Sequence, residues 1–256
     1  MNPPIGYDLD SATVEKILDF LSGKYVAVDP REESQLRELA FWRWVAYEGY
    51  AGKSPELFRE HQKEWMLGCY EKTGWAMDRF HAGTVYELGC GPLGMIEFVP
   101  GNRRFAYDPL NAEYAKLFAK LRSNDVRYIT SKTEIDAIPL VDLGICFNVL
   151  DHTENAREWF LLFFDRIKNG GAYLLQVNTV RNGLGRSDEH QKMHPSPLVV
   201  ETVLVWLNEV SSDYNYLLSD TPSDDNEFFF MAWGSKMDNA SPKKLRRSKM
   251  EAGVPE

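Results

Sequence analysis

The sequence is short of cysteine, of long apolar runs and of net positive charge, and each shortage excludes something. Three cysteines, Cys69, Cys90 and Cys146, are scattered over 256 residues with no Cys-x-x-Cys pair. Such a set argues against a disulfide framework or a zinc knuckle and suits a reducing, cytoplasmic setting. No stretch approaches the roughly 18 apolar residues of a membrane span, so no membrane partner is expected. The N-terminus has no basic start followed by an apolar run, so no signal peptide is expected. The formal charge is −9. Residues 241–256 hold five bases and two acids, a local +3, which leaves −12 on the first 240 residues. A body so acidic repels phosphate backbones, so no nucleic-acid partner is expected.

What is present is an ordinary globular composition with many aromatics, 13% of the chain. Residues 1–80 read as helical. Val14, Ile17, Leu18 and Leu21 recur at helical spacing, as do Leu36, Leu39, Ala40, Trp44 and Val45. Ser54-Pro55-Glu56 is a helix start, with a capping hydroxyl followed by proline in the first turn. A fourth helix is expected before Phe80. From residue 84 the rhythm changes. Short apolar runs at 84–88, 104–107, 126–129, 143–147 and 172–177 alternate with helical stretches at 111–121 and 155–167. That alternation predicts an α/β fold with a parallel sheet covered on both faces. A helix over 197–210 follows. Two runs, 214–218 and 227–233, are then expected to pair as a hairpin. Three segments result: a helical extension or lid over 1–80, a nucleoside-binding domain over 81–236, and a basic flexible tail over 237–256.

The sharpest motif is Glu87-Leu88-Gly89-Cys90-Gly91-Pro92-Leu93-Gly94. An apolar strand runs into closely spaced glycines, where the backbone can turn sharply and a ligand can approach the main chain. Asp108 ends the next strand, 21 positions after Glu87. A carboxylate there can accept both hydroxyls of a ribose. Gly89, Gly91 and Gly94 also satisfy the dinucleotide pattern, so an NAD(P)-dependent oxidoreductase competes. Glu87 favours the other reading. It stands where a dinucleotide-binding strand is apolar, and it can face an ammonium group.

From about residue 84 to 233 the chain resembles the class I S-adenosylmethionine-dependent methyltransferases. Glu87-Leu88-Gly89-Cys90-Gly91 is similar to the family's first motif, and Tyr107-Asp108-Pro109 to its acidic second motif. Val141 to His152 resembles the fourth strand and its loop, and Arg166-Ile167-Lys168-Asn169-Gly170-Gly171 the turn before strand five. The resemblance implies a doubly wound, seven-stranded Rossmann-like sheet with an antiparallel C-terminal strand, and S-adenosyl-L-methionine as cofactor. By position it implies that Gly89, Cys90 and Gly91 line the methionine part. It likewise implies that Asp108 holds the ribose, that Leu110 packs on the adenine and that Asn148 lies near the sulfonium. Ser131 and Lys132 would flank the adenine edge. The chain departs from the family in having Asn169 where proline is usual. It also departs in a short helix after the first motif, cut off by Pro100-Gly101.

Methyl transfer to a hydroxyl needs a route for its proton. His152, after strand four and beside Asp151, is the candidate base. His190 and His194, in the loop after strand five, are candidates for binding the acceptor. No metal is expected, because the end of strand five offers Asn178 and no aspartate. Cys90 and Cys146 are expected to be packing residues. The expected activity is methylation of a small polar or sugar-like acceptor, on oxygen rather than nitrogen. A non-catalytic nucleoside-binding module is the remaining alternative.

Overall fold

The N-terminal helices begin where side chains can cap them. In α1 (Ser11–Leu21) the Asp10 carboxylate accepts from Thr13 N. In α2 (Pro30–Glu48) Asp29 accepts from Glu32 N, and in α3 (Pro55–Glu71) Ser54 accepts from Leu57 N. Each cap satisfies an N–H that has no partner within the helix. These positions come from a computed structural model, which describes residues 8–50, 53–181, 188–220, 222, 226–237 and 246–249. The fourth helix expected before Phe80 is absent. Residues 76–83 form successive turns, with Arg79 N bonded to Ala76 O, His81 N to Asp78 O and Gly83 N to Phe80 O. Edge-on packing of Trp75 against Tyr70 and Phe80 holds this stretch against the end of α3.

The remaining elements alternate as the sequence predicts. They are β1 (Thr84–Leu88), β2 (Arg103–Tyr107), α4 (Asn111–Leu117), β3 (Val126–Ile129), α5 (Lys132–Asp136), β4 (Val141–Phe147), α6 (Ala156–Asp165), β5 (Ile167–Val180), α7 (Asp188–Met193), α8 (Val200–Val210), β6 (Ser211–Leu218), β7 (Glu227–Lys236) and β8 (Arg246–Lys249). The sheet order is β3-β2-β1-β4-β5-β7-β6-β8. β1 to β5 are mutually parallel, and β7 is antiparallel to both β5 and β6. The expected hairpin is therefore β6–β7. An eighth strand adds to the expected seven: β8, within the segment read as a tail, pairs parallel with β6. The rest of that segment beyond Met237 lies outside the described residues.

Several expected boundaries moved: α4 ends at Leu117 rather than at 121, β4 starts at Val141 rather than at 143, α8 starts at Val200 rather than at 197, and the hairpin strands are longer than expected. β5 starts at Ile167 rather than at 172, because the Lys168–Gly171 turn is absorbed as an irregularity between the Val141–Ile167 and Leu143–Ala172 pairs. Gly170 takes φ 72° in it. After β1 the helix shrinks to a 3-10 turn, Met95–Glu97.

Side-chain alternation gives the sheet two cores. Tyr86, Leu88, Phe105, Cys146, Tyr173, Leu175, Val177 and Phe230 face α6 and α8. Val85, Ala106, Leu143, Ile145, Phe147, Leu174 and Met231 face α3, with Met66, Cys69 and Tyr70 against them. Full burial of each such side chain contributes on the order of 1.5–3 kcal/mol. A third cluster joins α1, α2 and α3 to α4 through Leu36, Leu39, Phe58, Tyr114 and Phe118, and it also takes in Leu93 and Leu110 from the loops after β1 and β2. α2 also touches α7. The N-terminal helices thus lie over the loops at the carboxyl ends of the strands. Among the described residues, no helix is long and apolar enough to cross a membrane.

Candidate active site

The glycine turn after β1 is shaped by contacts on three sides. Gly89 has φ 65°, and the N–H groups of Gly89 and Cys90 both donate to Tyr107 O, at 2.7 and 3.0 Å. A Cβ on Gly89 would stand 2.3 Å from Val149 Cγ2, so the turn is pressed against the loop after β4. Gly91 differs. Its φ is 55°, and nothing lies within 4 Å of the place a Cβ would occupy. A ligand can approach the main chain there. The Cys90 thiol is buried and donates to Asn111 Oδ1, and burial pushes its pKa far above the usual thiol range. Cys146 is likewise buried and raised. Neither has the character of a nucleophile.

Glu87 sits beneath this turn. It follows Val85 on the face of β1 that carries the Met95–Glu97 turn. Its two carboxylate oxygens accept from Met95 N at 3.1 Å and from Ile96 N at 2.8 Å. These N–H groups open the short 3-10 turn Met95–Glu97, in a stretch where a dinucleotide site would carry a helix. Here an internal carboxylate already holds them, and the helix itself is absent. Burial is the main force on Glu87 and pushes its pKa up to about 8, against the two backbone bonds that lower it. Any contact with an ammonium group would use its remaining lone pairs.

Asp108 closes the other side. Its Oδ2 accepts from Gly91 N at 3.0 Å and its Oδ1 from Leu110 N at 2.9 Å, so it ties the first loop to the second. Burial, reinforced by the charge of Glu38, pushes its pKa up to about 7. Glu38 comes from α2 and accepts from the Tyr114 hydroxyl at 2.8 Å. Leu110 is buried in the cluster that α2 shares with α4. Ser131 caps α5 in a capping box with Glu134, and Lys132 pairs with Glu158. Both are occupied in holding α5.

The ends of β4 and β5 carry a second group of side chains. Asn148 takes φ 54°, one of two non-glycine residues in the left-handed region among the described residues. Its Nδ2 lies 3.1 Å from His152 Nε2, and its Oδ1 accepts from Asn178 Nδ2 at 3.2 Å. The His152 and His194 rings have centroids 4.0 Å apart. His194 Nδ1 is 2.8 Å from Asp151 Oδ2, and both side chains are buried. Asp151, His152 and His194 keep polar atoms within 4.8 Å of one another. The backbone secures this arrangement: Ser196 N donates to Asp151 O, and the Ser196 hydroxyl to Thr153 O. Val180 N donates to Leu198 O. A carboxylate bonded to Nδ1–H fixes the tautomer whose Nε2 carries the lone pair.

The structure thus gathers Glu87, Gly89, Cys90, Gly91, Asp108 and Leu110 around one turn, and Asn148, His152 and His194 around another. Val149 joins the two. His190 lies in α7, with its side chain outside the described residues. Three contributors escape a reading of sequence alone: Glu38, the pairing of Asp151 with His194, and Asn178 as a partner of Asn148. The Asp151-His152 dipeptide signalled a carboxylate–imidazole pair. It did not signal that the carboxylate would turn to a histidine 43 residues away.

No family model matches the chain. A ubiquinone biosynthesis O-methyltransferase of Rickettsia conorii is 29% identical over 143 residues, which are 52% of this chain and 45% of the relative. The same-named protein of Rickettsia felis is 30% identical over 143 residues, 52% of this chain and 54% of the relative. The chain therefore spans about half the length of the curated relatives it matches. Among solved structures, the N-methyltransferase NodS from Bradyrhizobium japonicum, in complex with S-adenosyl-L-homocysteine, aligns with TM-score 0.53 and 17% identity over 81% of this chain and 99% of that one. A Haemonchus contortus phosphoethanolamine N-methyltransferase in complex with S-adenosyl-L-methionine aligns with TM-score 0.60 and 13% identity over 84% of this chain and 61% of that one. Sheet order, glycine turn and acidic second loop agree with these likenesses: the chain has the fold of these methyltransferases and, over about half its length, is similar in sequence to O-methyltransferases.

Proposed function

We propose that the chain is an S-adenosyl-L-methionine-dependent methyltransferase that acts on a hydroxyl of a small polar molecule, sugar-like acceptors included. The observation that carries the choice of oxygen is the buried Asp151–His194 pair at the ends of β4 and β5. An amine acceptor can attack as the free base. A hydroxyl needs its proton removed as it attacks, and an imidazole oriented by a carboxylate does that. The names of the curated relatives point to oxygen as well.

The residues present fit the cofactor. Gly91 leaves open room beside the main chain, Asp108 stands at the end of β2, and Glu87 places a carboxylate under the turn. When bound, S-adenosyl-L-methionine would supply an electrophilic methyl group on a good leaving group. The protein's part is then positioning and proton removal. His194 Nε2 takes the acceptor's proton, and Asp151 stabilises the imidazolium that forms. Asn148, Asn178 and Gln176 line the same strand ends with amides, which suits a polar acceptor. α2 and α7 touch one another, and we assign residues 1–80 the role of a lid that excludes water from the transfer. His190, carried on α7, is proposed to bind the acceptor together with His194. The chain is proposed to act without a metal and without nucleic-acid or membrane partners.

The test is transfer of labelled methyl from S-adenosyl-L-methionine to a panel of hydroxylated and amino small molecules, after calorimetry with the cofactor and its demethylated product. Cofactor binding with transfer to hydroxyls is expected. Cofactor binding without any transfer would favour the binding module. Stabilisation by nicotinamide cofactors alone would favour the oxidoreductase.

A further inference from the structure

Three side-chain amides and one imidazole form a directional chain across the ends of β4 and β5. Gln176 Nε2 donates to Asn178 Oδ1 at 3.1 Å, and Asn178 Nδ2 donates to Asn148 Oδ1 at 3.2 Å. Asn148 Nδ2 then meets His152 Nε2 at 3.1 Å. Because Asn148 accepts with its oxygen, its NH2 group faces His152. An NH2 group can only donate, so His152 Nε2 must be the acceptor, and the ring proton must be on Nδ1.

The direction of this chain has a physical cause at its other end. Gln176 is buried, 2% exposed, and its Oε1 has no hydrogen-bond partner. Inverting all three amides would bring Oε1 to Asn178 and leave the Gln176 NH2 group as the loose end instead. A buried carbonyl oxygen without a partner is tolerated more readily than buried N–H donors without one. The drawn direction is therefore the less costly of the two. It matters because of what lies beside His152. Among the described residues, the titratable groups beside it include His194, from the segment after α7, and Asp151, from its own turn.

We propose that Asn178 is a positioning residue: through Asn148 it holds His152 in the neutral Nδ1–H tautomer, so that His194 is the imidazole that takes a proton. Protonating His152 at Nε2 would set two donors against each other unless Asn148 turned over. Asn178 opposes that turn, and Gln176 opposes it through Asn178. Two adjacent imidazoles that both titrated would share the proton and repel one another when both were charged. The amide chain removes one of them from the competition. This assignment rests on the methyltransferase reading only for its catalytic consequence, because the tautomer is a property of the protein without any ligand.

The test is two-bond 1H–15N correlation spectroscopy of the histidine side chains in the full chain, with the His152 signals assigned through His152→Gln. In the wild type, His152 should show a protonated Nδ1 and an unprotonated Nε2 at neutral pH. Asn178→Asp offers only acceptors at that position. Asn148 should then turn its NH2 towards residue 178 and its oxygen towards His152. The expected result is a switch of His152 to Nε2–H, with its titration raised by about one unit or more. Asn178→Ala breaks the chain without reversing it, and should give a mixture of tautomers at similar thermal stability. A merely structural Asn178 would lower stability in both variants and leave the tautomer unchanged. That result, or an Nε2–H tautomer in the wild type, would overturn the proposal. Loss of cofactor binding or of methyl transfer with the tautomer intact would count against the proposed function instead.

Discussion

His194 and Asp151 meet at 2.8 Å in a buried setting, although 43 residues separate them in the chain. The carboxylate ends one short turn after β4, and the imidazole follows α7. Their meeting depends on the stitch between Ser196 and the residues 151–153. A base assembled in this way should behave as a unit.

The first prediction concerns that unit. His194→Ala is expected to lower kcat for hydroxyl methylation by about 10²–10⁴-fold, with little change in cofactor affinity. Asp151→Asn should fall in the same range, since it removes the group that selects the tautomer, and the double variant should be little worse than either single one. Steady-state kinetics at saturating cofactor measures all three. Equal activity in His194→Ala and wild type would remove His194 from the chemistry.

The two positive-φ glycines should separate stability from binding. Gly89→Ala forces both a left-handed backbone and a Cβ 2.3 Å from Val149 Cγ2. It should cost more than the roughly 1–3 kcal/mol of backbone strain alone. Gly91→Ala meets open space and carries only the backbone term. It is expected to fold and to lose cofactor affinity out of proportion to its stability. Thermal melts and calorimetry on the pair check this.

The pH dependence of stability follows from Glu87 and Asp108. Burial raises both, to about 8 and about 7. A carboxyl group whose folded pKa lies above its unfolded value stabilises the fold fully below the unfolded value, near 4, and loses that contribution as pH rises through the folded one. The cofactor-free protein should therefore weaken between about pH 4 and pH 8, by a few kcal/mol if both groups contribute. Glu87→Gln should flatten the upper part of this fall. Denaturant unfolding at a series of pH values reads it directly, and a stability that rises across the same window would contradict the assignment.

Glu38 links the N-terminal helices to the same titration. Its charge is the largest one raising Asp108. Glu38→Gln should lower the pKa of Asp108 and so move the pH at which cofactor binding strengthens to a lower value, without changing affinity at pH 9. If the midpoint stays in place, α2 does not influence the nucleoside pocket electrostatically.

Trp65 of α3 packs edge-on against Phe147 at the end of β4 and against Phe229 of β7. Trp65→Ala should destabilise the protein by about 3 kcal/mol, within the usual range for a large aromatic removed from a packed contact. Trp65→Phe should recover most of the loss. Chemical denaturation distinguishes the two.

Much of this molecule is decided locally and was legible in the sequence. Ser54 caps a helix because its hydroxyl can bond an N–H three residues on. The runs at 84–88 and 143–147 form strands because they are short, apolar and bounded by turn residues. Gly89 and Asp108 lie at the ends of adjacent parallel strands, and that topology alone brings them together. Other features were settled only when distant segments packed. Glu87 is chemically equivalent before folding to any other acid on a strand, and its place under the Met95–Glu97 turn depends on which face of β1 that turn covers. The segment before Phe80 carries helix-compatible residues but is held in turns by its packing against α3. Above all, His152 had a neighbouring aspartate in sequence, and the fold gave that aspartate to His194. Sequence order determines which groups are available at the strand ends. Only the tertiary structure decides which lone pair faces which proton, because a hydrogen bond depends on ångström-scale distance and direction between elements that the chain joins by long connections.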